Sequence, residues 1–243
     1  MLEPVHQINK DLVRRRQYQS SNLEYKKAAT LSPQALQSIS IRKLLPPTMG
    51  SISVASEDWE SKAKLCRKIL DSSLNSAWLL SPDELPGSDV LDVSRFVETC
   101  SLLTEREISI TNTSATDLVK QMSTGDLSAV ETVTAFLKRA HVGHQLLNFA
   151  TEFLVEEALT RARELDSYYQ ATGKLVGPLH GIPISVKEHI GLKGRITHSC
   201  YIAWTDNVAQ EDALLVRLLK SAGGIIHVRT NEPQSLMVIM RFL

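Results

Sequence analysis

The spacing of apolar and polar positions changes near residue 173 and divides the body of the chain into two parts. Before that point apolar residues recur at helical spacing, loosely from Trp59 to Ser73 and more regularly in three later segments. After Gly173, glycine and proline turns separate short β-branched runs, a pattern typical of strands. The chain is therefore predicted to place helices first and a sheet afterwards.

Two neighbouring helices begin with capping sequences. Ser114-Ala-Thr-Asp117 and Ser128-Ala-Val-Glu131 each place a hydroxyl three residues before a carboxylate, an arrangement that bonds the first free N–H groups of a helix. The first helix is predicted to end near Gly125. The second is predicted to pack on a core through one face, made of Val130, Val133, Thr134, Leu137 and Ala140. A third helix, from about Val155 to Tyr169, turns inward Ala158, Leu159, Ala162 and Leu165.

The second part of the chain predicts two strands joined by a helix. The strands are Ile184-Ser-Val-Lys-Glu188 and Ile225-Ile-His-Val-Arg229, and the helix runs from about Gln210 to Gly223-Gly224, where glycine can take a positive φ. A strand, a crossover helix and a strand favour parallel pairing. The predicted fold class is α/β, with an N-terminal helical segment followed by the start of a mixed, mostly parallel sheet flanked by helices.

Residues 1–48 differ from the rest of the chain in composition. They hold eight basic residues against three acidic ones, with frequent serine and no sustained apolar period. Three interpretations stay open, namely a disordered extension, an organelle transit peptide and a mis-annotated start, with translation beginning at Met49. The Pro46-Pro47 pair forms a natural boundary. Residues 49–243 are predicted to form the N-terminal portion of one domain.

Charge and cysteine content exclude several classes of protein. Lys plus Arg and Asp plus Glu both number 27, so there is no overall electrostatic reason to expect a nucleic acid partner. The longest stretch without these residues covers 14 positions, from Ala28 to Ile41, which is too short for a membrane span. Three scattered cysteines without a C-x-x-C indicate neither a disulfide framework nor a zinc cluster, and favour the reducing cytoplasm.

Lys187 is the candidate catalytic residue. It lies in an otherwise apolar strand, and the period of two places it on the same face as Ser185. Two interpretations stay open. Burial in the sheet would lower the pKa of its amine and make it a general base, whereas a lysine at the end of a strand would simply reach water.

The other polar or glycine-rich motifs are weaker candidates for a functional site. His141-x-x-His144 lacks the carboxylate and third ligand of a catalytic zinc site, and its histidines are predicted to be solvated. His180 and His189 flank the lysine strand and are predicted to be structural. Gly223-Gly224 closes a helix and opens a strand, the reverse of the order that a phosphate loop needs, so a nucleotide-binding module is disfavoured.

Several motifs, taken together, resemble the amidase signature family. Gly177-Pro-Leu-His-Gly-Ile-Pro-Ile-Ser-Val-Lys-Glu188 resembles its lysine motif, and Arg229-Thr-Asn-Glu-Pro233 resembles a later one. The wording is most similar to the fungal acetamidase-like branch, and the resemblance covers most of residues 57–237. It implies hydrolysis of a small carboxylic amide, with Lys187 as the catalytic lysine and with no metal or organic cofactor.

The resemblance implies a serine nucleophile that a lysine activates through a second serine on a cis peptide. Both serines belong to a Gly-Gly-Ser-Ser segment well downstream of the lysine, and none of this chain's later serines, Ser199, Ser221 and Ser235, has that context. Residues 238–243 also leave the family pattern, and Cys200 stands where the family usually has glycine.

Two functional hypotheses follow. The first is an amidase of which this chain is the N-terminal part, truncated before the nucleophile and inactive alone. The alternative is a non-catalytic binding or regulatory fragment, or the product of a decayed gene.

Overall fold

The structure is a computed structural model that describes residues 59–87 and 89–236. The predictions about residues 1–48, Met49 and residues 238–243 lie outside this range. The described helices and strands are α1 Trp59–Ser73, α2 Phe96–Thr99, α3 Glu105–Asn112, α4 Ala115–Thr124, α5 Ala129–Leu147, β1 Ala150–Phe153, α6 Val155–Thr172, β2 Pro183–Lys187, α7 Leu214–Ser221 and β3 Ile225–Thr230.

The two predicted helix starts are confirmed. Ser114 caps α4 by accepting a hydrogen bond from the Asp117 N–H, and Ser128 forms a reciprocal capping box with Glu131 at the start of α5. The carboxylate of Asp166 on α6 also accepts bonds from the Ala129 and Val130 N–H groups, at 2.7 and 3.0 Å. The start of α5 is thus fixed both by its own sequence and by a neighbouring helix.

Helix α5 is buried around most of its circumference rather than along one face. Val133 and Leu137 are fully buried as predicted, whereas Val130, Thr134 and Ala140 are only half-buried. The other buried positions are Ala129, Thr132, Ala135, His141 and Val142. The prediction was too narrow because α3, α6 and the sheet pack against different sides of this helix.

The sheet has the strand order β1-β3-β2 and is mixed. Strands β2 and β3 pair in parallel, as the strand-helix-strand pattern predicted, and Lys187 lies opposite Thr230. Strand β1 pairs antiparallel with β3 and was not predicted, because it is only four residues long and shows no period. Its register with β3 is interrupted by a bulge between Ala150 and Glu152.

Helix α7 begins at Leu214, four residues later than the predicted Gln210. The preceding backbone is held instead by the loop after β2, since the Ala209 N–H donates to the Arg195 carbonyl and the Ala213 N–H donates to the Gly191 carbonyl. Val216 packs into the core beside the sheet, while the side chains of Leu214, Leu215 and Leu218 are exposed.

His141 is fully buried, so the prediction that it is solvated was wrong. Its Nδ1 lies 2.7 Å from the Leu137 carbonyl oxygen, and its Nε2 accepts a bond from the Asn75 N–H. Both ring nitrogens are therefore satisfied inside the core, and burial lowers the pKa of the ring. His227 on β3 is buried as well, and this burial lowers its pKa to about 4.

Among the described residues, no helix has both the length and the apolar character that crossing a membrane requires.

A close backbone contact at Gly223 generates a stability prediction. Gly223 has a φ of +93°, and a Cβ there would lie 2.7 Å from the Cα of His180. Because backbone atoms cannot move aside cheaply, we expect Gly223→Ala to lower the free energy of unfolding by roughly 3 kcal/mol. The matched control is Gly173→Ala, where φ is +65° and no atom lies within 4 Å of the added Cβ. It should lose about 1 kcal/mol. Equal losses in urea unfolding would contradict this account.

Candidate active site around Lys187

Lys187 is the last residue of β2 and lies on an exposed face of the sheet. Ser185 and Lys187 are both exposed, and Val186 between them is buried on the opposite face, as the period of two predicts. The Lys187 Nζ donates a hydrogen bond of 2.8 Å to the Asn231 carbonyl oxygen. Within the described residues the Lys187 side chain is therefore exposed, and β2 is one of the two edge strands of the described sheet.

Asn231, whose carbonyl group accepts this bond, is fixed by two hydrogen bonds of its own. The Asn231 N–H donates to the Phe149 carbonyl oxygen at 2.8 Å, and its side-chain amide donates to the Asn148 carbonyl oxygen at 3.3 Å. Asn148 ends α5 with a left-handed φ of 49°. The position of the lysine amine thus depends on the turn between α5 and β1.

Glu188, next to the lysine, points into the opposite side of the sheet and is 1% exposed. Its two carboxylate oxygens accept hydrogen bonds from the backbone N–H groups of His198 and Ser199, both at 2.8 Å. This side chain therefore ties the end of β2 to a loop ten residues further along the chain.

Arg229 on β3 is 3% exposed and joins three segments of the chain. Its Nη2 donates to the carbonyl oxygens of Glu188 and Ile196, at 2.5 and 2.7 Å, and lies 3.6 Å from the Glu188 carboxylate. Its Nη1 donates to the Glu152 carboxylate on β1 at 3.2 Å. Arg195 pairs with the same Glu152 and with Glu157. Two buried carboxylates and two guanidinium groups thus bind both other strands of the sheet and the loop to β3.

The loop held by Glu188 has an unusual backbone. Ser199 and Cys200 have φ values of 48° and 62°, in the left-handed region that glycine adopts most easily. Cys200, where the resemblance leads one to expect glycine, adopts this conformation, and its thiol donates to the Glu232 carbonyl oxygen at 2.7 Å. Each such residue carries a cost of about 1 to 2 kcal/mol, which the surrounding bonds must offset.

His189 and Glu232 form a second polar contact beside the lysine. The His189 Nδ1 lies 2.8 Å from Glu232 Oε2, while Oε1 of this buried carboxylate has no partner among the described residues. His141, His144 and Ser221 take no part in any of these contacts. Within residues 59–87 and 89–236, no group of three or more His, Cys, Asp or Glu side chains is arranged to hold a metal ion.

Glu152 and Arg229 were not predicted from the sequence as parts of this site. An arginine directly after the β-branched run Ile225-Ile-His-Val228 was a signal, since an arginine in a buried strand needs a carboxylate partner. Glu152 had no comparable signal, because its strand is only four residues long.

Comparisons with known proteins show which family this chain belongs to. The family model described as Amidase matches residues 131–240, which include both Lys187 and Arg229. Relatives named as amidases match a still longer part of the chain. The chain belongs to the amidase signature family. It is similar to fungal acetamidases, as its motifs predicted.

Two acetamidases illustrate the similarity. The chain is 43% identical over 183 residues to an acetamidase of Aspergillus oryzae, covering 75% of this chain and 33% of that protein. It is 40% identical over 182 residues to an acetamidase of Emericella nidulans, covering 75% of this chain and 32% of that protein. The chain thus spans about a third of the length of the curated amidases that it matches.

A solved amidase shares the fold. The structure matches a chain described as fatty acid amide hydrolase with a TM-score of 0.70 and 36% sequence identity. The match covers 74% of this chain and 32% of that one. The matched part of this chain therefore has the fold of the corresponding part of that enzyme.

The role of Glu188 in holding the loop generates a second prediction. In Glu188→Gln, the side-chain NH₂ would face one of the two backbone N–H groups that now donate to the carboxylate, so that two donors would meet. Arg229 would also lose a nearby negative charge. We expect the free energy of unfolding to fall by about 2 to 4 kcal/mol, as for other buried charges that lose a partner. The matched control is Glu164→Gln, which removes an exposed pair with Arg161 and should cost less than about 1 kcal/mol. Similar urea midpoints for both variants would contradict the role of Glu188.

Proposed function

We propose that this chain carries the lysine-bearing part of an enzyme that hydrolyses a small carboxylic amide, with Lys187 as the general base. The observation that carries the proposal is the placement of the Lys187 amine on the exposed face of β2, bonded to the fixed Asn231 carbonyl. The same strand end is tied from the opposite face by the buried Glu188. We further propose that residues 49–243 form part of one amidase domain.

The proposed chemistry divides between this chain and a serine-bearing segment. A serine hydroxyl attacks the amide carbonyl carbon, its proton passes through a bridging serine to the Lys187 amine, and the amine product leaves with a proton returned by the same route. Water then hydrolyses the acyl-enzyme and releases the carboxylate. The proposal therefore requires a longer product in which the Gly-Gly-Ser-Ser segment follows the present sequence.

The exposure of Lys187 bears on this mechanism. A lysine accepts a proton only as the neutral amine, and removal from water favours that form. Within the described residues the side chain is exposed. We therefore propose that the serine-bearing segment packs over the face that holds Ser185 and Lys187.

We also propose that the protein is located in the cytoplasm. All three cysteines, Cys66, Cys100 and Cys200, are free thiols. Free thiols are consistent with the reducing cytoplasm that the sequence favours.

The test uses the longer product and the variant Lys187→Ala. We expect kcat/KM for acetamide and longer aliphatic amides to fall by about a thousand-fold, the usual contribution of a general base. The matched control is Lys174→Ala, which removes another exposed lysine of the same region and should leave activity unchanged. Lys187→Arg should be as inactive as Lys187→Ala, because a guanidinium group does not give up its proton.

Two results would count against the proposal. Retained activity in a folded Lys187→Ala variant would remove the lysine from the mechanism. A longer product that neither hydrolyses amides nor reacts with a serine-directed fluorophosphonate would instead favour the binding or regulatory fragment.

A further inference from the structure

A cavity of about 300 Å³ lies on the Glu188 side of the sheet, between α1, β1 and the loop after β2. Its apolar wall includes Ile69 and Leu70 of α1 and Ala150 of β1. Its polar wall includes Arg67, Thr151 and Arg229. Lys187 does not line this cavity, so any ligand it holds is separate from the proposed base.

The bulge in β1 explains why this cavity has a polar wall. Ala150 lies opposite Thr230 and Glu152 lies opposite Arg229, so Thr151 is an extra residue in the strand. Thr151 and Glu152 consequently both line the cavity instead of pointing to opposite faces. The Glu152 carboxylate is taken by Arg195 and Arg229, whereas the buried Thr151 hydroxyl has no partner among the described residues.

Arg229 supplies a second unsatisfied group. Its two terminal nitrogens are bonded, but its Nε–H, which is buried, has no acceptor among the described residues. A buried donor without an acceptor destabilises the folded chain, so a bound acceptor would be favoured there. The polar wall therefore favours a ligand that can accept hydrogen bonds.

Arg67 adds positive charge to this wall. It is exposed on α1, lines the cavity and makes no ion pair within the described part of the chain. The carboxylates that line the cavity, Glu152 and Glu188, are engaged by Arg195, by Arg229 and by backbone N–H groups. His198 also lines the cavity, with its Nδ1 bonded to the Cys200 N–H and its Nε2 3.7 Å from Glu188 Oε1. The Arg67 guanidinium, the Arg229 Nε–H and the Thr151 hydroxyl can all donate hydrogen bonds, a set that matches an acceptor-only anion.

We propose that this cavity binds a short-chain monocarboxylate, with its two oxygens on Arg67, Arg229 Nε–H and the Thr151 hydroxyl, and its alkyl chain against Ile69 and Leu70. A carboxylate is also the class of product that amide hydrolysis releases. The binding itself does not depend on the chemistry of Lys187, so it can be tested on the 243-residue chain.

Cys66 provides a reporter inside the cavity. It lines the same wall as Arg67, and burial together with the nearby Glu188 raises the pKa of its thiol. Cys100 lies outside the cavity and serves as an internal control. The experiment measures the alkylation rates of both cysteines by iodoacetamide, using mass spectrometry, with butyrate, with its neutral analogue butyramide, and with chloride at equal ionic strength.

A six-atom ligand of this kind should bind in the millimolar range. We expect about 20 mM butyrate to slow alkylation of Cys66 roughly fivefold or more by mass action, while Cys100 is unaffected. Butyramide and chloride should have little effect on either cysteine. The urea midpoint should rise with butyrate and not with butyramide, which gives a readout independent of thiol reactivity.

The variants Arg67→Gln and Thr151→Val should lose the protection by butyrate. Arg163→Gln, which changes an exposed arginine on α6, should keep it. Equal protection of Cys100, equal protection by butyramide, or full protection in a folded Arg67→Gln variant would each overturn the proposal. So would the absence of both protection and a shift in the urea midpoint.

Discussion

The described part of the chain depends on the ion pairs that Arg229 makes inside the sheet. A guanidinium group that is 3% exposed carries a large desolvation cost unless it is paired and hydrogen-bonded. Arg229 offsets that cost by bonding Glu152 on β1, the carbonyl oxygen of Glu188 after β2, and the carbonyl oxygen of Ile196 in the following loop. The removal of any one of these partners would leave a buried charge incompletely compensated, so the strands and the loop are fixed together.

This arrangement links the fold to the proposed chemistry. Lys187 and Glu188 are consecutive, and the pleat of the strand turns them to opposite faces. The buried glutamate holds the strand end and the loop from one side, and the lysine amine is presented on the other. The same pairs define the cavity next to α1, because the bulge that brings Glu152 to Arg229 also brings Thr151 there. The hydrogen bonds of Arg229 to Glu152 and to the Glu188 carbonyl oxygen therefore position both the lysine and the cavity wall.

Local sequence signals predicted much of this fold. The capping serines Ser114 and Ser128, the glycine after α4, and the β-branched strands around Lys187 and before Arg229 all depend on neighbouring residues, and the structure confirms them. The features that escaped prediction depend on contacts between distant segments. Strand β1 is too short to show a period. His141 is buried where a backbone N–H 66 residues away satisfies its Nε2, and the exposure of Lys187 depends on which segments pack over its face of the sheet.

Amide hydrogen exchange at the N–H groups of His198 and Ser199 in the 243-residue chain measures directly whether the buried Glu188 holds the loop. Loop amides ordinarily exchange quickly, whereas amides bonded to a buried carboxylate exchange only when the local structure opens. We expect these two amides to be protected nearly as well as those of β3, and Glu188→Gln to remove their protection before that of β3. Fast exchange of both amides in the unmodified chain would show that Glu188 does not hold this loop, and would contradict its role in fixing the strand end that carries Lys187.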